Sequence, residues 1–262
     1  MNVGFIGAGN MGGALARIIC TYKHINVYIY DVDSEKSKKL AAETEGIACE
    51  LSELINASDI IFLGVKPGVI ATVCNEISDK VKDETIIISM AAGVKIKKIE
   101  SVIKRNIPII RIMPNTPVTY GEGMTAYCKN EFVTDDVEFL FKIVMKFTGT
   151  LSEVPEEDIE AFTAIAGCGP AYAYMFIDAL AKAGEKCGLD YDRALFYATK
   201  MIKGSAIMVE NSPLSPETLC KNVCSPGGST IEGVRVLEAN NFDDTIEKAI
   251  FAAYKRTKEL GN

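Results

Sequence analysis

Two stretches of this chain place glycines where a helix should begin, a pattern that suits the binding of anions. The first is Gly7-Ala8-Gly9-Asn10-Met11-Gly12, directly after the apolar run VGFIG. In a G-x-G-x-x-G pattern the first glycine permits a tight turn. The second removes a side chain where a pyrophosphate must approach the backbone, and the third lets helix and strand pack closely. The helix start adds free N–H groups and a partial positive charge. The string is weak alone and strong here, because it ends a predicted strand and opens a predicted helix in a β-α-β unit. It points to a dinucleotide, with Ile6, Gly7, Ala8, Gly9, Asn10, Met11 and Gly12 as candidate contacts.

The second stretch, Ser225-Pro226-Gly227-Gly228-Ser229-Thr230, comes more than 200 residues later. Ser229 followed three positions on by Glu232 reads as a capping box and predicts a helix from Ser229. Gly227 and Gly228 leave the backbone bare just before it, so the N–H groups there would suit a carboxylate. Thr230 places a hydroxyl in the first turn. An ordinary loop-to-helix junction has the same composition, and the residue types leave both readings open.

Other candidates lie where predicted strands end. Asp31 closes the second strand, 22 positions after Gly9. An acidic residue at that place accepts a hydrogen bond from the ribose hydroxyl of NADH and repels the extra phosphate of NADPH, so the cofactor is NADPH or NADH with a tilt toward NADH. Ser34, Lys36 and Lys38 stand close enough to soften that preference, and a solvent-facing Asp31 is the competing reading. Val65, Lys66 and Pro67 follow the third long strand, and Ala91 and Ala92 follow the next. The two alanines suit a flat nicotinamide lying against backbone. Lys66 is a proton donor on one reading and a solvated turn residue on the other.

The elements that must position these residues follow from periodicity. Short Val/Ile/Leu/Phe runs at 3–7, 26–31, 59–65, 84–90 and 107–114, with 124–128 as a further strand, alternate with helical patterns, as in a parallel sheet buried on both faces. A helix at 34–46 should close on Gly46, and one at 132–149 on Gly149. From Glu156 no convincing strand is visible, and the chain reads as helical except at Gly167-Cys168-Gly169-Pro170. The expected fold is α/β: an N-terminal doubly wound Rossmann-type domain, residues 1–154, then an all-α domain, residues 155–262. The stretch from Tyr172 to Ala183 is apolar enough to need burial on most sides, which predicts a subunit interface in that second domain, with burial inside a single chain as the competing reading.

Bulk properties narrow the partners. Hydrophobic residues make up 48% of the 262 and net charge is −7, so no basic face favours nucleic acid. No apolar run reaches the length of a membrane span, and no secretory leader pattern precedes the first strand, so the expected location is cytoplasmic. The eight cysteines are scattered with no C-x-x-C pair, and the single histidine, His24, reads as a solvated loop residue. No metal site is expected, and the thiols read as free in a reducing compartment.

The blocks GFIGAGNMG, DIIFLGVKP, ISMAAGV, RIMPNTP and NVCSPGGSTIEGVRVLE, in that order, resemble the pyrroline-5-carboxylate reductase family over essentially the whole chain. The resemblance implies reduction of 1-pyrroline-5-carboxylate to L-proline, with a helical domain that dimerises or builds larger rings. It also implies an active site that draws on both domains and on the neighbouring subunit. Carried over residue by residue, Gly227, Gly228, Ser229 and Thr230 bind the substrate carboxylate, and Thr230 also hydrogen-bonds the ring nitrogen. Ser225 lines the site, and Asn222 reaches a cofactor held by the partner. One departure stands out: Ala166 and Cys168 replace serines that the family usually carries there, and both read as packing substitutions. Competing readings are a reductase of another cyclic imino acid, a β-hydroxyacid dehydrogenase, and a non-catalytic regulatory relative. The dehydrogenase would want a lysine between Ala171 and Ala181, where there is none. The regulatory relative would have lost the second loop.

Overall fold

A computed structural model describes residues 1–260. The first part alternates strand and helix: β1 (Asn2–Ile6), α1 (Asn10–Ile19), β2 (Asn26–Tyr30), α2 (Ser34–Thr44), β3 (Ile47–Ala48), α3 (Leu51–Ala57), β4 (Ile60–Leu63) and α4 (Ile70–Ile77). Then come β5 (Ile86–Ser89), α5 (Ile96–Ile103), β6 (Ile109–Met113), β7 (Gly123–Lys129), α6 (Asp135–Val144) and β8 (Gly149–Glu153). The strands form one sheet in the order β3-β2-β1-β4-β5-β6-β7-β8. Every pairing is parallel except β6 with β7.

Each central strand sends alternate side chains to two separate cores. Phe5, Phe62, Ile88 and Ile110 face the layer that holds Leu15, Ile19 and Phe141. Ile6, Ile61, Ile87 and Ile109 face Leu54, Ile77 and Ile99 on the other side. Phe5 stacks on Phe62 with ring centroids 4.7 Å apart. Strands buried on both faces cannot show polar alternation, which is why they read as continuous apolar runs.

Three local expectations need correction. The left-handed residue that ends α2 is Glu45 (φ 58°), not Gly46. Gly46 is instead hemmed in, since a Cβ there would stand 3.0 Å from the Ile29 side chain. Gly149 does not end a helix either: α6 stops at Val144, and Gly149 (φ 119°) starts β8, a strand absent from the sequence reading. Finally, the stretch Glu156–Lys186 is continuous enough in its helical turns to be long and apolar enough, by length and composition, to cross a membrane. The glycines at 167 and 169 hid that continuity.

The helical part comprises α7 (Ile159–Phe162), α8 (Gly169–Lys186), α9 (Tyr191–Asn211), α10 (Pro216–Val223), α11 (Ser229–Ala239) and α12 (Phe242–Leu260). Contacts divide the chain into two compact units: residues 1–168 with those from Ala253 onward, and Gly169–Ala252. The expected boundary at 154/155 follows the end of β8, whereas the contacts group 155–168 with the sheet. Arg111 on β6 is one reason. Its side chain is fully buried, and it donates to Glu156 Oε1 at 3.2 Å and Glu160 Oε1 at 3.0 Å.

The helical unit has almost no interior of its own. Only Ala181 is buried in α8, and only Ala194 and Ala198 in α9. Met175 is 72% exposed and Phe196 57%. The expected burial of Tyr172 to Ala183 is therefore not achieved within one chain.

Candidate active site

Four backbone features shape the first glycine loop. Gly7 (φ 108°) turns the chain out of β1 while its N–H donates to Tyr30 O at 2.8 Å. A Cβ on Gly7 would meet Gly64 O at 2.6 Å, so the loops after β1 and β4 touch through bare backbone. Gly9 caps α1 with extended backbone and no side-chain hydrogen bond. A Cβ at Gly9 would meet nothing within 4 Å. No side chain caps the first turn of α1, where Asn10 is exposed and Met11 half-buried above the buried Gly12, and a bare helix start of this kind is a cradle that offers the N–H groups and polarity that a pyrophosphate requires. The cradle sits where the sheet order reverses between β1 and β4, the place where ligands bind in open parallel sheets.

The supporting residues are arranged behind and beside it. Ile6 is buried beneath the loop. Ala8 donates its N–H to Asp31 Oδ2 at 2.8 Å, and Asp33 donates its own to Asp31 Oδ1 at 3.0 Å. Asp31 is thus turned toward the glycine loop rather than free in solvent, and each oxygen keeps capacity for a further donor. Burial and the carboxylates of Glu76, Glu50 and Asp31 push the neighbouring Tyr30 phenol up, so the end of β2 is an acidic place. Lys36 and Lys38 are engaged with Asp33 and Glu35 of their own helix. Val65 and Pro67 are half-buried and Lys66 is exposed, with Pro67 opening a single 3-10 turn. Ala91 is buried, Ala92 half-buried, and Gly93 (φ 76°) turns the chain.

The second loop lies in the helical unit. Ser225-Pro226-Gly227-Gly228 forms a turn in which Gly228 N–H donates to Ser225 O at 3.0 Å. Gly227 (φ 70°) occupies the position where a Pro-initiated turn of this kind needs left-handed backbone. The predicted helix starts at Ser229 as expected, but the capping box does not form. The cap residue is Gly228, with no side-chain hydrogen bond, and Glu232 pairs with Arg235 at 2.6 Å. That correction favours an anion site. With Ser229 inside the helix instead of capping it, the first-turn N–H groups of α11 are not consumed by a side chain. Ser225, Gly227, Ser229 and Thr230 are exposed and Gly228 is half-buried. Asn222 is exposed in the last turn of α10.

One residue inside a recognised block escaped the sequence reading. Asn115, in RIMPNTP, is buried, donates to Ala166 O at 2.9 Å and accepts from Met124 N at 2.9 Å. Its partner lies in a π-turn, Thr163–Gly167, where Cys168 N–H reaches Thr163 O at 2.8 Å. A π-turn leaves carbonyls out of the regular ladder, and Asn115 takes one. The signal was an amide between Pro114 and Pro117, at an extended position just before the 3-10 turn Thr116–Tyr120, where its side chain does not cap that turn and is free for tertiary bonds. Ala166 and Cys168 are both half-buried there. Among the described residues no group of three or more metal-ligating side chains occurs.

The sheet order and the glycine cradle define a Rossmann-type dinucleotide-dependent protein. Comparison with known proteins narrows the class. Residues 156–260 match the model for pyrroline-5-carboxylate reductase dimerisation, and residues 2–93 match that for NADP oxidoreductase coenzyme F420-dependent. The chain is 36% identical to the pyrroline-5-carboxylate reductase of Aquifex aeolicus, over 99% of this chain and 97% of that one. It is also 36% identical to human pyrroline-5-carboxylate reductase 2, over 99% and 84%. The Plasmodium falciparum pyrroline carboxylate reductase, solved with NADP bound, superposes with a TM-score of 0.92 at 34% identity, covering 100% of this chain and 98% of that one. This chain belongs to the pyrroline-5-carboxylate reductase family.

Proposed function

We infer that the protein is an NAD(P)H-dependent oxidoreductase that reduces 1-pyrroline-5-carboxylate to L-proline, the last step of proline biosynthesis. The observation that carries this reading is the full-length identity to reductases of that name. The turn at Ser225–Gly228, leading into an uncapped helix, suits a small carboxylate as well.

When bound, the reduced nicotinamide supplies a hydride to the carbon of the cyclic C=N bond. The residues of this chain bind and orient. The N–H groups of Asn10, Met11 and Gly12 hold the pyrophosphate, with Ile6, Gly7, Ala8 and Gly9 shaping the cradle. Val65, Lys66, Pro67, Ala91 and Ala92 border the nicotinamide end. Gly227, Gly228, Ser229 and Thr230 hold the substrate carboxylate through backbone N–H groups. The Thr230 hydroxyl orients the ring nitrogen. It is too weak an acid to protonate that nitrogen unaided, so its role is positioning. Ser225 lines the loop, and Asn222 reaches toward a cofactor held by a second copy.

Asp31 and the acidic surroundings of Tyr30 favour NADH over NADPH, because the extra phosphate would meet carboxylates. A homodimer or larger homo-oligomer is part of the reading. Its support is the dimerisation match together with apolar helix faces left uncovered, since only 11% of the most apolar window within 156–186 is buried. We take residues 155–262 as the dimerisation and substrate domain, supported by the dimerisation match over 156–260, and place the enzyme in the cytoplasm, in keeping with eight free thiols. Initial rates with 1-pyrroline-5-carboxylate, using NADH and NADPH side by side, test the reading. Turnover with either establishes the activity, and no turnover with both refutes it.

A further inference from the structure

We propose that Asn115 is a positioning residue for hydride transfer, its amide holding the π-turn Thr163–Gly167 beside the nicotinamide end of the cofactor site. The inference rests on the reading of Ala91 and Ala92 as the border of that end. Strands β1, β4, β5 and β6 are neighbours and run parallel, so the turns that follow them leave one edge of the sheet. In that order these turns carry Gly7, Val65, Ala91 and Asn115. Asn115 thus follows the strand next to the one that delivers Ala91 and Ala92. Ala91, Ala92, Met113 and Phe162 share one apolar cluster, and the π-turn begins directly after Phe162.

Asn115 ties three elements together. Its side-chain NH₂ donates to Ala166 O at 2.9 Å, and its side-chain carbonyl accepts the Met124 N–H of β7 at 2.9 Å. Its backbone carbonyl accepts the Val118 N–H at 3.2 Å and so opens the 3-10 turn Thr116–Tyr120. That turn packs against α1, the helix of the glycine cradle. The side chain is buried, and its planar amide carries the donor for Ala166 and the acceptor for Met124 on one head. A buried amide engaged at both ends keeps a single orientation, as a positioning group must.

The π-turn is a segment that needs such a tie. Its backbone closes through Cys168 N–H to Thr163 O at 2.8 Å, and the buried Thr163 hydroxyl donates to Ile159 O at 2.6 Å. A π-turn sets carbonyls outside the regular helical ladder, and such turns concentrate at functional sites. Here the freed carbonyl of Ala166 is taken by a side chain that arrives from the sheet edge, 51 positions earlier in the chain. Hydride transfer requires the two reacting carbons to come within about 3–3.5 Å, and a displacement of about 1 Å can cost on the order of 100-fold in rate. The cradle of α1, not this turn, holds the pyrophosphate. Loosening the π-turn therefore lowers kcat and leaves the affinity for NADH almost unchanged.

Asn115→Asp in the full-length protein is the test. Ionised, the new carboxylate still accepts the Met124 N–H but turns lone pairs toward Ala166 O. Protonated, it donates to Ala166 O and restores the bridge. At about pH 8, kcat per folded site, counted by NADH binding, should fall on the order of tenfold, with the KM for NADH within about twofold of the parent. The primary isotope effect on kcat, measured with NADH deuterated at the nicotinamide C4, should rise as the hydride step becomes limiting. The ratio of variant to parent kcat should recover toward about pH 5.5, since burial raises the pKa of a carboxyl group. Taking the ratio cancels the titration of the substrate nitrogen. An undiminished kcat overturns the proposal, and so does a reduced kcat whose isotope effect stays put or whose ratio does not recover. If Asn115→Asp does not fold, Asn115→Ser, whose shorter side chain leaves room for a water, should show the same lower kcat and larger isotope effect. If neither folds, Asn115 serves folding and the proposal fails. A parent protein that turns over no 1-pyrroline-5-carboxylate with either cofactor would fault the functional reading instead.

Discussion

Ser225 and Gly228 close one turn: the Gly228 N–H donates to Ser225 O at 3.0 Å, and a Cβ on Gly228 would stand 2.5 Å from Ser225 Oγ. The turn thus holds its last residue bare at the point where α11 begins, and no side chain caps that helix. The first-turn N–H groups at that helix start are left without a side-chain partner.

Gly228→Val follows directly. The branched side chain collides with Ser225 and covers the first N–H groups of α11. The KM for 1-pyrroline-5-carboxylate should rise at least ~10-fold, while the KM for NADH, set by the other unit, stays within error. A normal substrate KM would remove the loop from the binding site.

Thr230→Ala tests the orienting hydroxyl. The residue is exposed in the first turn of α11, so its loss should leave the fold intact. Removing one hydrogen bond to a charged group costs roughly 1.5–3 kcal/mol, so kcat/KM should fall about 10- to 100-fold with NADH binding preserved. Unchanged steady-state rates would exclude Thr230 from the mechanism.

Cofactor choice should turn on Asp31. Asp31→Ser removes a charge from the acidic end of β2 and the acceptor of the Ala8 N–H. The ratio of kcat/KM for NADH to that for NADPH should drop by about tenfold, through weaker NADH binding and relief of repulsion toward the extra phosphate. A ratio that does not move would show that Asp31 serves the loop alone.

Glu138 sets an acid limit on stability. Lys129, then Lys142 at 2.6 Å and the Tyr127 hydroxyl at 2.6 Å, hold its carboxyl down at about 2. A group depressed in the folded state adds stability above its unfolded value, roughly 4.3, and loses that contribution as pH falls toward the folded value. Urea midpoints should therefore drop between about pH 4.5 and pH 2, and the drop should shrink in Glu138→Gln. Equal acid slopes in the two proteins would contradict this.

Much of this architecture can be read from residue order. The apolar runs locate the sheet because strands buried on both faces leave no other pattern. The glycine spacing locates the cradle because a bare backbone is the only way to bring phosphate that close. Gly149 shows where such reading fails: a glycine after an apolar helix looks like a stop, yet here its φ of 119° serves a strand start pressed against Gly123. Ser229 shows another limit. Its spacing to Glu232 suits a capping box, but the turn at Ser225 hands the cap to Gly228, and a turn's hydrogen bond is invisible in composition. Asn115 and Arg111 act through partners some fifty positions away, at Ala166 and Glu160, which no local pattern encodes.

The most direct test of the account is a crystal structure of the protein with NAD⁺ and L-proline. The proline carboxylate should lie within hydrogen-bond distance of the Gly228 or Ser229 N–H, with the Thr230 hydroxyl beside the ring nitrogen. Proline ordered at any other place, with the start of α11 left unliganded, would contradict it.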